Sequence, residues 1–347
     1  FGSRISVLQG VATLGGFFPL CRCPMARSVL PAALQCRDAG KAPDFSSLRV
    51  VATDMDGTFL DPGHEAPAAN LEAMREAEAV GLHVVFCTGR NRASAQAKLP
   101  SVDLCARPGV FLNGAVVYGK AGTVIHERTV SSDVVVDVLR HIKGTRGQFT
   151  AVLCHGDDHF VPDPTEKWAL HLHKDYDDPC PLGLGGYDEA ISTFAGSGTA
   201  EEPSPKRSCC EAPHLLHIVG SREDLDLIRE PLESLVASRV RLARALPTCL
   251  TLLHPLSSKA DGLPPALKEL STSCDEAIAF GDAENDIEML QAVRIGVAMG
   301  NAMDRVKEAV DWHCASNDSD PPGVAGVLRH VVDFARTASA DNLKPAS

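Results

Sequence analysis

The chain has 347 residues, of which 44% are hydrophobic and 22% charged, and a formal net charge of −12. That balance is ordinary for a folded globular protein, and the length leaves room for two domains. The acidic excess argues against nucleic acid or an anionic membrane as the main partner. It does not argue against a phosphorylated metabolite, which a cation and a few local basic groups can hold.

The first 45 residues differ in composition from the rest. No Asp or Glu precedes Asp38, whereas Arg4, Arg22, Arg27 and Arg37 do. An acid-free stretch with scattered arginines resembles an organellar transit segment, so residues 1–45 are expected to be an N-terminal extension. The apolar run from Ile5 to Leu20 is short and broken by Gly10, Gly15, Gly16 and Pro19, which excludes a spanning helix there. The 12 cysteines stand singly apart from Cys21 with Cys23 and Cys209 with Cys210. Reduced thiols in an intracellular compartment, cytoplasmic or organellar, fit this better than a disulfide framework.

From Leu48 onward strand and helix patterns alternate. Leu48 to Thr53 (LRVVAT) reads as a buried parallel strand. Pro67 to Val80 has apolar residues at helical spacing and is closed by Gly81. His83 to Thr88 reads as a second buried strand, Asn91 to Leu99 as a short helix, and Val110 to Leu112 as a third strand. A hairpin follows over Ala115 to Val130, turned near Lys120 to Gly122. The rhythm then changes, with a helix over Ser131 to Lys143 and strands over Phe149 to Cys154 and Leu215 to Val219. A helix over Arg222 to Val236 and a strand pair over Val240 to Leu246 and Cys249 to Leu253 complete this part. Between Pro179 and Pro213 lies a long Gly-, Pro- and Ser-rich stretch, expected to be mostly loop. After it the first rhythm returns. Helices are expected over Leu263 to Leu270, Asn285 to Val293, Ala302 to Val310 and Val324 to Arg336, and strands over Ala277 to Phe280 and Ile295 to Met299. The expected class is α/β, a doubly wound parallel sheet over 46–130 and 254–337 with an inserted α/β domain at 131–253 and a frayed tail at 338–347.

Asp54-Met55-Asp56-Gly57-Thr58 follows the first strand, at the end where open α/β sheets bind ligands. Two acids so close repel if both are ionised, so they want a divalent cation or a shared proton. Gly57 permits a sharp turn and Thr58 offers a hydroxyl beside the acids. A polar strand cap with a common Asp-Gly turn is the plain alternative. Thr88-Gly89-Arg90 ends the second strand, where a hydroxyl and backbone N–H groups can hold phosphate oxygens. A capped strand-to-helix turn is the plain reading there. Gly281-Asp282-Ala283-Glu284-Asn285-Asp286 puts three carboxylates in one loop entering a helix, a set of oxygen ligands that suits Mg²⁺ or simply complements the helix dipole. Lys259 is a candidate counter-charge or a solvated loop lysine. His155 with His159, and His171 with His173, are read as ordinary histidines of the inserted domain before a metal site. Asp157, Asp158, Asp163 and Glu166 are read as a charged loop face first.

As an ordered set these motifs resemble the haloacid dehalogenase-like (HAD) superfamily, and within it the Cof-type phosphatases, which carry an α/β cap where this chain has its inserted domain. Asn113-Gly114-Ala115 and Met299-Gly300-Asn301-Ala302 add to the resemblance, which runs from about Leu48 to Arg336. The resemblance implies a Mg²⁺-dependent phosphatase working through an aspartyl-phosphate. Its substrate would be a small phosphorylated metabolite, a sugar phosphate or a phosphorylated cofactor. Asp54 would be the nucleophile, Asp56 the general acid and base, Thr88 a phosphoryl ligand and Lys259 the counter-charge. Mg²⁺ would lie among Asp54, the backbone carbonyl of Asp56, and Asp282, supported by Asp286 and Asn285. Gly57, Thr58, Gly89, Arg90, Asn113, Asn285 and Asn301 would face the substrate, with Asn301 reaching either it or the Asp54 loop. A phosphomutase, or a metal- or phosphate-binding module without turnover, stands beside this reading. One departure from the family is the run Ala260-Asp261-Gly262-Leu263-Pro264-Pro265, whose prolines are expected to delay the helix after Lys259.

Overall fold

The computed structural model describes residues 33–37, 42–145, 147–196 and 211–342. In chain order, β1 (Leu34–Cys36), β2 (Val50–Thr53), α1 (Ala68–Ala79), β3 (His83–Phe86) and α2 (Arg92–Lys98) come first. A small antiparallel sheet follows, β4 (Gly109–Phe111), β5 (Val116–Tyr118) and β6 (Val124–Glu127). The inserted part comprises α3 (Ser132–Lys143), β7 (Thr150–His155), β8 (Asp158–Val161), α4 (His171–Tyr176), β9 (Leu182–Gly183), α5 (Tyr187–Phe194), β10 (Leu215–Val219), α6 (Arg222–Val236), β11 (Arg241–Leu246) and β12 (Cys249–Leu253). The chain then returns with α7 (Lys259–Glu269), β13 (Ala277–Gly281), α8 (Ile287–Ala292), β14 (Ile295–Ala298), α9 (Asp304–Ala309), β15 (Trp312–Cys314) and α10 (Gly323–Asn342).

The main sheet has the order β1-β15-β14-β13-β2-β3. Its strands are parallel except β1, which runs antiparallel along β15. All four residues of β2, β13's five and β14's four are buried, as strands covered on both faces require. From the centre, β2 leads outward to β3 while β13 leads the other way to β14 and β15. Right-handed crossovers therefore put α1 on one face and α8 and α9 on the other. The reversal falls between neighbouring strands β2 and β13, and it opens a crevice at their carboxyl ends. Asp54 and Asp282 sit one residue past those strands.

The second sheet has the order β11-β12-β10-β7-β8-β9, mostly antiparallel. One face packs on helices, with Val135, Leu139 and Ile142 of α3 and Leu225 and Leu232 of α6 against Leu153, Leu216 and Leu250. The alternate residues Val152, Cys154, Leu215 and Leu253 point to the other face and join the cluster of the main core, with Leu172 and Tyr176 against them.

Several elements differ from the expectation. The stretch expected as loop between Pro179 and Pro213 contains β9 and α5, whose Ala190 and Phe194 are buried. Residues 197–210, with Cys209 and Cys210, lie outside the described residues. Strands β8 and β15 and helix α4 are additional. They span only three to six residues each, too short for a periodic signal. Helix α7 begins at Lys259 itself, despite Pro264 and Pro265, because Ser258 caps it by accepting from the Asp261 N–H. Helix α10 runs to Asn342, through residues expected as tail. Within the expected extension, Leu34–Cys36 is a sheet strand and Phe45 stacks edge-on against Phe334. Of the transit-like extension expected over residues 1–45, residues 1–32 and 38–41 lie outside the described residues.

Candidate active site

Asp54 leaves β2 with its backbone N–H donating to Phe280 of β13, so the two central strands hold it in the crevice. The chain then turns through Gly57 at φ +77°, a conformation that costs glycine little. A Cβ there would lie 2.4 Å from an Asp282 carboxylate oxygen, so only glycine lets the two loops approach this closely. Asn301 secures the same turn from outside, donating to the Gly57 carbonyl at 2.8 Å. Its own oxygen accepts from the Asn317 N–H at 3.0 Å. Of the two roles expected for Asn301, the structure places it on the Asp54 loop.

Lys259 lies at the centre. Its side chain is fully buried, and Nζ donates to Asp54 Oδ1 at 2.5 Å and to Asp286 Oδ1 at 2.6 Å. Asp286 uses its other oxygen to accept from the Asp282 and Ala283 N–H groups, both at 3.0 Å, which fixes the loop. Asp282 accepts from Thr58 Oγ1 at 2.9 Å, so Thr58 braces an acid rather than facing outward. Burial works against the Lys259 ammonium, yet Asp286 and Asp54 more than offset it, and its pKa lies above the ordinary lysine value. Burial pushes the Asp54 carboxyl well above the usual carboxylate range, with Lys259 opposing the rise. Burial, then Asp286, lifts Asp282 to about 6.

Oxygens of Asp54, Asp282 and Asp286 lie within 4.8 Å of one another, the only such group of metal-capable side chains among the described residues. Three carboxylates around one ammonium leave an excess of buried negative charge, and the donors are all hard oxygens. A divalent cation of the Mg²⁺ type fits that set.

Asp56 is directed elsewhere. Both of its oxygens are held by Arg90, Nε to Oδ2 at 2.7 Å and Nη2 to Oδ1 at 2.6 Å, and His64 Nδ1 lies 2.8 Å from Oδ1. Burial would raise its pKa, but Arg90 and then His64 outweigh burial and hold it below the ordinary value. Arg90, expected among the substrate contacts, is thus engaged with the acid. Thr88 is fully buried and accepts from the Arg90 N–H at 3.1 Å, next to Gly89. Asn285 donates to Asn113 Oδ1 at 2.8 Å, and the Asn113 N–H donates to the Thr88 carbonyl. The three loops therefore share a rim.

The histidines singled out in the sequence do not converge. His155 is paired with Glu211, His159 lies against Asn91, His171 against Thr248 and Asp175, and His173 against a backbone carbonyl. Asp157, in the turn between β7 and β8, is tied to the start of α2 rather than being a solvated charge, receiving Arg92 at 2.7 Å and the Ala93 N–H at 3.0 Å. The sequence reading missed His64, Asn317 and the Arg90–Asp56 pair. His64 sits in a polar turn where spacing carries no information, and Asn317 reaches the Leu60 carbonyl from 257 residues away.

A family model described as haloacid dehalogenase-like hydrolase matches residues 51–328. The chain belongs to the haloacid dehalogenase-like hydrolases. The Cof-type resemblance drawn from the motifs agrees with that placement. This hydrolase is 28% identical to the chloroplastic endoribonuclease YBEY of Arabidopsis thaliana over 82% of its own length. It spans only 46% of that relative, less than half. It is 25% identical to the 5-amino-6-(5-phospho-D-ribitylamino)uracil phosphatase YcsE of Bacillus subtilis, covering 82% of the hydrolase and 96% of the relative. A solved HAD/COF-like hydrolase from Plasmodium vivax superposes with a TM-score of 0.67 at 23% identity, over 83% and 96% of the two chains. That likeness carries the fold, a doubly wound core with an inserted cap.

Proposed function

We propose that this hydrolase is a Mg²⁺-dependent phosphatase that releases inorganic phosphate from a small phosphorylated metabolite through an aspartyl-phosphate. The carrying observation is the meeting of buried Asp54, Lys259 and Asp286 with half-buried Asp282 at the crevice between β2 and β13. Nucleophilic attack by one anion on another is the central obstacle, and a fixed cation relieves it. Lys259 supplies one such charge. A bound Mg²⁺, held by Asp54 and Asp282 with Asp286 in support, would supply further neutralisation of the phosphoryl oxygens.

Asp54 forms the bond to phosphorus as the bond to the ester oxygen breaks. Asp56 must first take up a proton, against the hold of Arg90 and His64, to give it to the departing oxygen; ionised again, it takes one from the water whose oxygen displaces Asp54. Thr88 and the Gly89 backbone hold phosphoryl oxygens, and Asn113 and Asn285 border them. Residues 131–253 act as the cap over core segments 46–130 and 254–337 and select the leaving group. The named phosphatase relative supports a small phosphorylated substrate, of sugar-phosphate or phosphorylated-cofactor type. A cytoplasmic or organellar location accords with the arginine-bearing, acid-free start. No helix among the described residues is long and apolar enough to cross a membrane.

The test is purified protein with an aryl phosphate and a broad metabolite panel, with and without Mg²⁺. Hydrolysis that needs the ion and disappears in Asp54→Asn supports the reading. No turnover across the panel refutes it. A requirement for a bisphosphate activator with little phosphate release would indicate a mutase instead.

A further inference from the structure

The catalytic crevice lies at the carboxyl ends of the strands. At the opposite edge, where β3 begins and just ahead of β4, lies a cavity of about 310 Å³. That is the lower end of the ~300–1,000 Å³ range of small-molecule sites. Leu82, Val84 and Leu270, all nearly buried, line it with apolar surface. His83, Arg107 and Lys120 stand around them. The acceptors of this cavity are already used. Glu78, its one carboxylate, accepts from Arg107 Nη1 at 2.6 Å. The carbonyls at the end of α1 are taken as well, that of Glu78 by the Gly81 N–H and that of Ala77 by the Leu82 N–H.

The donors are not used up. Lys120, exposed after β5, pairs with no carboxylate among the described residues. Glu269 lies beside the neighbouring Gly119 without forming an ion pair with it. The His83 ring has no hydrogen-bond partner among the described residues. Burial, then the Lys120 and Arg49 charges, lower the His83 pKa, with Glu78 opposing, so the local field is positive. We propose that this cavity is a second ligand site, for a small organic anion. Its apolar body would lie on Leu82, Val84 and Leu270, and its carboxylate or phosphate would meet Lys120 and His83. A cation would find positive charge and no free acid there, and a neutral apolar molecule would gain nothing from Lys120. Strand β3 ends two residues ahead of Thr88, and α7 runs from Lys259 to the residue before Leu270. An occupant would therefore touch the far ends of two elements that carry site residues without entering the crevice. Nothing in this assignment depends on turnover there.

The test is an NMR titration of the full chain with isotope-labelled Leu and Val methyl groups. Benzoate and phenylphosphonate are the anionic probes, and benzylamine and benzyl alcohol the cationic and neutral controls with the same ring. Saturable shifts are expected at the Leu82, Val84 and Leu270 methyls with at least one anion and with neither control. Which anion binds distinguishes a carboxylate head from a phosphate one, and either supports the assignment. Lys120→Ala alters an exposed side chain, and unshifted methyls elsewhere would show its fold intact. It should weaken binding by about tenfold or more, the worth of a hydrogen bond to a charged group. No saturation with either anion at millimolar concentration would overturn the proposal, as would an equal response to benzylamine or undiminished binding in Lys120→Ala. Shifts confined to Leu60 and Leu112, on loops of the catalytic crevice, would overturn it too, since the probes would then occupy the crevice alone.

Discussion

Replacing Lys259 by Met keeps most of the volume and removes the charge between two buried carboxylates. Asp54 and Asp286 are then left facing each other and Asp282 with no ammonium between them. Deleting one partner of a buried pair typically costs about 3–5 kcal/mol, because the remaining charge is uncompensated. The carboxylates can escape part of that cost by binding a proton, which burial already favours for Asp54. We therefore expect a loss of about 3 kcal/mol at pH 8, roughly a hundredfold in the unfolding constant. The sign with pH follows from linkage. A carboxyl whose folded pKa lies above its unfolded value keeps a proton that the unfolded chain releases, so stability falls as pH rises through the folded value. The variant should accordingly lose less at pH 5 than at pH 8. The chain has two tryptophans. In a Trp168→Phe background Trp312, buried on β15, reports the core alone during urea unfolding in chelator. Adding excess Mg²⁺ should stabilise the variant more than its parent, since the ion takes over charge that Lys259 no longer offsets. A loss under about 1 kcal/mol at pH 8, or an equal loss at both pH values, would refute this electrostatic account.

Other outcomes follow from single contacts. Gly57→Ala must hold a left-handed φ and push a Cβ against Asp282, so the Mg²⁺ concentration for half-maximal activity should rise by about tenfold. An unchanged midpoint would mean that Asp282 is not part of the cation site. In the cap, burial holds His159 and His214 near pKa 4, below the ordinary histidine value. The unfolded chain takes up those protons first as pH falls through about 6.5, so cap stability should drop between there and pH 4. Trp168 emission in a Trp312→Phe background would follow it, and His159→Gln should flatten the decline.

The positions of three candidate site residues were legible because each follows an apolar strand at the sheet's carboxyl edge, where burial pattern and loop chemistry coincide. Asp54, Thr88 and Asp282 all have that form. Lys259 was legible only as one member of an ordered set, since its burial depends on two carboxylates brought from distant loops. Thr58 and Arg90 were named without their partners, and Asn301 with two alternatives, the substrate or the Asp54 loop. Thr58 braces Asp282, Asn301 ties a backbone carbonyl, and Arg90 holds Asp56. A sequence shows which groups can donate, whereas packing decides which acceptor each one meets. The late start expected for α7 followed from proline chemistry alone and gave too little weight to the Ser258 cap. The short strands β8 and β9 gain their order from pairing at the edge of the second sheet, and α4 from the packing of Leu172 on the main cluster, which local periodicity cannot encode.

Strand β1 lies outside the stretch that the family model matches, yet it closes one margin of the main sheet. Its three residues occupy the free side of β15, and Arg37 continues the contact to Asp311 and Glu308. An expression product trimmed to the family match would present the β15 backbone as an open template for another chain, the usual start of sheet-to-sheet association. Trimming guided by similarity alone would therefore bare a backbone edge that Leu34–Cys36 covers, and a cut that keeps this strand avoids it.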